Sequence, residues 1–265
     1  MKKYLKIIKQ TLRFFIKEIR SANNNKSKQI DKNEKVCYYC KSSVSNFIPH
    51  LGGCKNVPDF LIKADIIGSD VDNFKCPVCA NHDRLRHLFM YFDKIKLWDK
   101  VRDSKVLHIA PEDAIVNKIN SLKPSVYILG DVEPRNELTV VMDVSSIPYS
   151  DNYFDIIVCN HVLEHVIDYK KAIAEIHRTL KKGGIAILQT PCSRLFDKHF
   201  YDSSINSTEL KVFFYGATSH LRLFSEKELL YDFENVGFSL QIIEHSKFFS
   251  SEEAKRFGVN EKEKL

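Results

Sequence analysis

The sequence predicts an α/β fold. A mostly parallel sheet with helices on both faces is preceded by a small cysteine-rich module and an N-terminal amphipathic helix. Three observations carry this. From residue 105 onward, short apolar runs alternate with helical patterns, as in parallel sheets whose crossovers are helices. Ahead of them stand two Cys-x-x-Cys pairs. Ahead of those, residues 2–20 alternate apolar and basic positions at helical spacing. The implied domains are 1–35 (basic helix and linker), 36–100 (cysteine module and connecting helix) and 101–265 (the α/β domain).

Taken in order, the N-terminal segment places Tyr4, Ile8, Leu12, Phe15, Ile16 and Ile19 on one helical face and Lys2, Lys6, Lys9, Arg13, Lys17 and Arg20 on the other. Lys6, Lys9 and Arg13 interrupt the apolar core that a secretory signal needs. Such a helix suits peripheral contact with an anionic membrane surface. Docking on its own protein, or on an RNA or protein partner, are the alternatives. Residues 21–28 (SANNNKSK) read as a linker. Residues 1–35 carry 11 Lys/Arg against 3 Asp/Glu, whereas the remainder carries 29 against 31. The body is therefore not a basic nucleic-acid binder. With 44% hydrophobic and 28% charged residues the chain is not disordered. No apolar run reaches membrane-spanning length.

The cysteine module contains Cys37-Tyr-Tyr-Cys40 and Cys76-Pro-Val-Cys79. A two-residue gap lets both sulfurs of a turn face one ion, and two converging turns make a tetrahedral thiolate site for zinc. With four thiols and no open position, the zinc is read as structural, in a zinc-ribbon-like module with an insert. Cys54, His50, His82 and His87 are substitute ligands. Seven cysteines in a chain this long, four of them so paired, point to a reducing, cytoplasmic compartment. Asp83-Arg84-Leu-Arg86-His87 then opens a helix. Arg84 and Arg86 are candidates to grip an anionic substrate, against the alternative of pairing with acidic neighbours.

In the α/β domain the expected strands are Lys105–Ile109, Val126–Leu129 (ending at Gly130-Asp131), Leu138–Met142 (ending at Asp143), Phe154–Cys159 (ending at Asn160-His161) and Ile185–Gln189. A helix over 169–180 stops at Gly183-Gly184. Gly237–Ile243 is expected as a sixth strand. Ligands of such sheets bind beyond the carboxyl ends of the strands, where these polar residues lie.

The run Asp155-Ile-Ile-Val-Cys-Asn-His161-Val-Leu-Glu164-His165-Val, followed by the helix and Leu180-Lys-Lys-Gly-Gly184, resembles the core of class I S-adenosylmethionine (SAM) methyltransferases of the type 11-like kind. The resemblance covers about 101–245. It is greatest to a subgroup with a Cys-x-x-Cys zinc module and a Cys-Pro-x-Cys…Asp-Arg-x-Arg-His run. It implies a Rossmann-like sheet with SAM as cofactor. By that resemblance Asp131 binds the ribose hydroxyls, Asp143 and Val144 read the adenine, and Asn160 and His161 line the rim near the sulfonium. The usual Gly-x-Gly loop is replaced by His108-Ile-Ala110-Pro111-Glu112. Ala110 adds only a methyl where backbone must approach cofactor, Pro111 shapes the turn, and Glu112 takes over the methionine ammonium. His161, His165 and His220 are candidate bases, with His220 and His161 preferred and Arg222 an anion contact or structural pair. Residues 192–219 are the expected lid. The seventh strand of the family looks absent, leaving a gap or exposed edge. Either a partner subunit of a homo-oligomer covers it or the chain is shortened.

The resulting expectation is methyl transfer to an O or N of a small-molecule or glycan acceptor of the surface-polysaccharide type. The alternatives are an RNA methyltransferase that grips RNA with its zinc module, and a catalytically inactive zinc and methyltransferase-fold binding protein.

Overall fold

The computed structural model describes residues 34–265. The helix expected over residues 2–20 and its linker lie outside the described residues. Lys35–Leu265 form one compact unit. No described helix is long and apolar enough to cross a membrane.

The chain enters through β1 (Lys35–Val36), which pairs antiparallel with β2 (Ser43–Val44) around the first cysteine pair. The Cys37 amide donates to the Ser42 carbonyl and the Lys41 amide to the Cys37 carbonyl. The second pair repeats the pattern, Cys76 donating to Asn81 and Ala80 to Cys76. Each knuckle closes on a left-handed residue, Lys41 (φ 60°) and Ala80 (φ 62°). Between the knuckles the insert forms α1 (Asp59–Lys63) and β3 (Ile66–Ile67).

Helix α2 (Asp83–Lys94) follows and buries Leu88, Tyr91 and Phe92. The core sheet is built from β4 (Lys105–Ile109), β5 (Val126–Asp131), β6 (Thr139–Val141), β7 (Phe154–Asn160) and β8 (Leu180–Gln189). Its order is β6-β5-β4-β7-β8 and every pairing is parallel. The chain leaves β4 in one direction and returns to its other side with β7. That reversal opens a crevice at the carboxyl ends of the strands. Period-two alternation divides the strand residues between two faces. Val106, Ile156, Val158 and Ile187 meet α2 and α3 (Asp113–Ser121) through Leu88, Phe92, Ile115 and Ile119. Leu107, Ile109, Ile157 and Cys159 meet α4 (Tyr169–Thr179) and α6 (Glu226–Val236) through Ile173, Ile176, Leu229 and Phe233. Each such fully buried aliphatic or Phe side chain contributes roughly 1.5–3 kcal/mol.

After β8, the segment 192–222 carries β9 (Cys192–Ser193) and α5 (Thr208–Tyr215), and ends ahead of β10 (Phe224–Ser225). Strand β9 pairs with β10 and, antiparallel, with β3 of the cysteine-module insert. The two inserts share a core of Leu61, Ala64, Ile205, Tyr215 and Leu223. The expected lid is thus fastened to the insert between the cysteine pairs. The chain closes with α7 (His245–Phe248) and α8 (Ser251–Phe257).

The sixth strand expected over Gly237–Ile243 is not formed. Ile243 exchanges both backbone hydrogen bonds with Leu265 instead, at 2.5 and 2.9 Å. An apolar run becomes a strand only when another strand completes its ladder, and among the described residues none pairs with the outer edge of β8. A groove of about 800 Å³ lies there, lined by Ile185, Ile187, Leu229, Phe233, Leu240 and Ile243.

Candidate active site

The first turn after β4 is built around Ala110, whose φ is +48°. This is the left-handed region that favours glycine, and the Ala110 amide is held there by the Gly130 carbonyl at 2.8 Å. Pro111 follows, and Glu112 is the N-cap of α3. The Glu112 carboxylate is gripped by His108 Nε2 at 2.6 Å, and His108 Nδ1 lies 2.9 Å from the Tyr127 hydroxyl. With Nε2 donating to the carboxylate, Nδ1 accepts the Tyr127 proton. Burial works to raise the Glu112 carboxyl, but His108 outweighs it and the net shift is downward. His108 is fully buried with both nitrogens engaged. The expectation that it touches cofactor is therefore corrected: it positions Glu112.

Asp131 is the last residue of β5, and one carboxylate oxygen accepts from the Glu133 amide at 3.0 Å. Asp143 follows β6 by two residues. Its Oδ1 accepts from the Ser145 amide and hydroxyl, which hold its carboxyl below the usual range. Val144 is buried beside it. Asn160 ends β7, is 3% exposed, and neither polar atom of its side chain has a partner in the protein. A buried amide left so is costly unless a ligand satisfies it. Positive φ at Ala110, carboxylates at three successive strand ends and an orphaned Asn160 together fit SAM.

His161 continues the rim in the left-handed region, at φ +53°, its amide donating to the Gln189 carbonyl. Its Nδ1 is 3.4 Å from Glu164 Oε1, without hydrogen-bond geometry at either ring nitrogen. Glu164 is 1% exposed, and Thr190 Oγ1 donates to its Oε2 at 2.7 Å. Burial alone would raise the Glu164 carboxyl, yet His161, Thr190 and His220 bring it down to about 2. His220 sits over the same carboxylate, Nε2 to Oε1 4.0 Å, and burial lowers its imidazole. His165 packs edge-on against His220. The candidate histidines therefore meet around one buried carboxylate. For Glu164 the only signal in the sequence is the Glu-His pairing within the motif. For Tyr127 and Thr190 the sequence carries none.

Arg86 and Arg222 are both spent on backbone carbonyls. Arg86 is fully buried, and its guanidinium donates to the carbonyls of Asn73, Phe74, Asn81, Phe257 and Gly258. Nothing remains for a substrate. Arg222 is 8% exposed and donates to the carbonyls of Leu163, Val166 and Ile167. It fastens the segment carrying Glu164 and His165 rather than contacting an anion. Arg84 is half-buried, with no ion pair among the described residues.

The thiols of Cys37, Cys40, Cys76 and Cys79 cluster within 4.8 Å of one another. Cys37 and Cys79 sulfurs are 3.7 Å apart, and those of Cys40 and Cys76 3.9 Å. Tetrahedral zinc with bonds of about 2.3 Å requires sulfurs roughly 3.8 Å apart, so the four fit zinc. Cys54, His50, His82 and His87 are not part of this group.

The methyltransferase domain family matches residues 76–242. An uncharacterized protein of Methanocaldococcus jannaschii is 35% identical over 78 residues, 29% of this chain and 34% of that protein. The chain thus spans about a third of the length of that curated relative. An S-adenosylmethionine dependent methyltransferase structure from Mesorhizobium loti is similar over 58% of this chain and 83% of its own, at 12% identity and TM-score 0.43. One from Archaeoglobus fulgidus is similar over 62% and 72%, at 15% identity and TM-score 0.43.

Proposed function

Because the chain belongs to the methyltransferase domain family, we propose that it moves a methyl group from SAM to an oxygen or nitrogen of a small-molecule or glycan acceptor. The observation that carries this is the convergence of Glu112, Asp131, Asp143 and the orphaned Asn160 at the carboxyl ends of β4 to β7. Glu112 would hold the methionine ammonium, Asp131 the ribose hydroxyls, and Asp143 with the Val144 backbone the adenine. Bound SAM supplies a methyl on a sulfonium whose carbon–sulfur electron pair stays with sulfur. The protein's part is to align the acceptor and remove its proton. His161 would take the proton: its Nδ1 lies 3.4 Å from Glu164 Oε1, and its buried Nε2 has no partner in the protein. The segment 192–222 shapes the acceptor pocket, and the four cysteines hold a structural zinc. The near-neutral body favours a glycan or small molecule over RNA, and the basic N-terminal stretch suits a lipid-linked acceptor at an anionic membrane surface.

Calorimetric titration of the zinc-loaded protein with S-adenosylhomocysteine tests the cofactor site. Micromolar binding that is lost in Asp131→Ala is expected. A folded wild type that binds nothing would overturn the reading and leave a non-catalytic zinc protein. RNA binding that is steeply salt-dependent and survives deletion of residues 1–35 would move the acceptor to RNA.

A further inference from the structure

We infer that Glu164, His165 and His220 form a second metal site, for a divalent first-row transition ion, at the acceptor end of the crevice. The ligand atoms of the three lie within 4.8 Å of one another. Their tautomers follow from their partners. His220 Nδ1 is 2.7 Å from the Tyr215 carbonyl, and His165 Nδ1 is 3.3 Å from the Ser219 carbonyl. A carbonyl only accepts, so both Nδ1 atoms carry the proton and both neutral rings present an Nε2 lone pair. Histidines that ligate metals are oriented in this way by their second nitrogen.

Those lone pairs meet an acceptor, not a donor. Glu164 is 1% exposed and its Oε1 has no hydrogen bond in the protein, His161 Nδ1 standing 3.4 Å away without hydrogen-bond geometry. His220 Nε2 stands 4.0 Å from that oxygen, beyond hydrogen-bond range. Convergent acceptors with no proton between them repel, and a cation among them removes the conflict. Ligands of one ion with bonds of about 2.1 Å lie roughly 3 to 3.5 Å apart, so a small inward movement suffices. The frame is already rigid. Thr190 fixes Oε2, the Leu221 amide donates to the Glu164 carbonyl at 2.9 Å, and Arg222 ties residues 163–167 to residue 222. Imidazole donors with one carboxylate select manganese to zinc over magnesium or calcium. His165 is exposed, which provides an entry path.

Three protein ligands leave coordination positions for the acceptor. A hydroxyl bound there becomes more acidic, because the ion stabilises the alkoxide. Its O–H bond breaks and the proton passes to His161. This last step rests on the methyltransferase reading; the metal site does not.

The test is Mn²⁺ titrated into the full chain carrying one zinc per chain, retained by the thiolates, with the second site cleared of zinc beforehand and free Mn²⁺ read by electron paramagnetic resonance. Thiolates bind manganese poorly, so the cysteine site does not interfere. One saturable ion per chain is expected, weakened at least tenfold in Glu164→Gln and in His165→Ala, with the structural zinc retained in both. His165 is exposed, so its variant keeps the test open if Glu164→Gln fails to fold. No saturable Mn²⁺ in the wild type, or unchanged binding in folded variants, overturns the site. Manganese without S-adenosylhomocysteine binding would leave the site standing and remove the methyl-transfer reading.

Discussion

Glu263 and His87, 176 positions apart, share a hydrogen bond of 3.0 Å with both side chains out of water. The direction of its proton can be worked out from the far end. His245 Nε2 faces the Ser250 carbonyl, so it is the donor there and His245 Nδ1 must accept. His87 Nε2, 2.8 Å away, therefore donates to His245. A neutral His87 then has only a lone pair at Nδ1, and Glu263 must be protonated to donate to it. The directions of titration agree. Burial raises Glu263 to about 7 and lowers His87 to about 3.

The chain of neutral groups predicts a pH dependence. Glu263 has a folded pKa above its unfolded one, so the folded protein binds the extra proton. That stability is present below about 4.5 and is lost as pH rises through about 7. Between pH 6 and 8 the loss from this one group is about 1 kcal/mol. Glu263→Gln keeps a donor toward His87 and removes the titration. Urea denaturation at pH 6 and pH 8 should show the wild type losing about 1 kcal/mol more than the variant across that interval. Parallel losses in both would mean that Glu263 does not titrate between pH 6 and 8.

Arg86 is a buried charge whose role can be separated from binding. Its five N–H donors meet five carbonyls, and the guanidinium lies 3.9 Å over the Phe47 ring. Lysine offers three donors in a compact head, so Arg86→Lys strands at least two carbonyls. A destabilisation of about 3 kcal/mol is expected, with S-adenosylhomocysteine affinity of the folded protein unchanged. A stable variant with weakened binding would return Arg86 to the substrate site.

Both residues show where sequence is legible and where it stops. The five strands could be read because β4, β5, β7 and β8 are apolar runs, and because Asp131, Asp143 and Asn160 mark where three of the core strands end. Gly237–Ile243 has the same local character and no strand beside it. Pairing is a non-local condition that composition does not record. The Arg86 cage comes from residues 73–81 and 257–258, and Glu164 gains meaning only when His220 arrives from 56 positions later. Residue types within one motif announce chemistry, but which side chain faces a ligand depends on segments brought together by folding.

The Tyr127–His108–Glu112 relay predicts a graded series. Glu112→Gln removes the charge proposed for the cofactor's ammonium and should weaken S-adenosylhomocysteine at least tenfold, about 1.4 kcal/mol. Tyr127→Phe leaves the buried His108 Nδ1 without its donor and should cost about 1–2 kcal/mol of stability, while affinity stays within threefold. Calorimetry and denaturation on the same preparations separate the two effects. Full affinity in Glu112→Gln would place the ammonium elsewhere.

Ala110 offers the most direct test of the turn after β4. At φ +48° an alanine stands where its Cβ crowds the following carbonyl, at a cost of roughly 1–2 kcal/mol. Glycine relieves that strain but loses about 0.5–1 kcal/mol through the freedom of its unfolded chain. Ala110→Gly should therefore be neutral to slightly stabilising, with cofactor affinity retained. Ala110→Val adds a β-branched side chain that tolerates this conformation least, at the point where backbone meets cofactor. It should lose both stability and S-adenosylhomocysteine binding. If valine bound as tightly as alanine, the turn would not approach the ligand, and the cofactor's methionine end would have to lie away from β4.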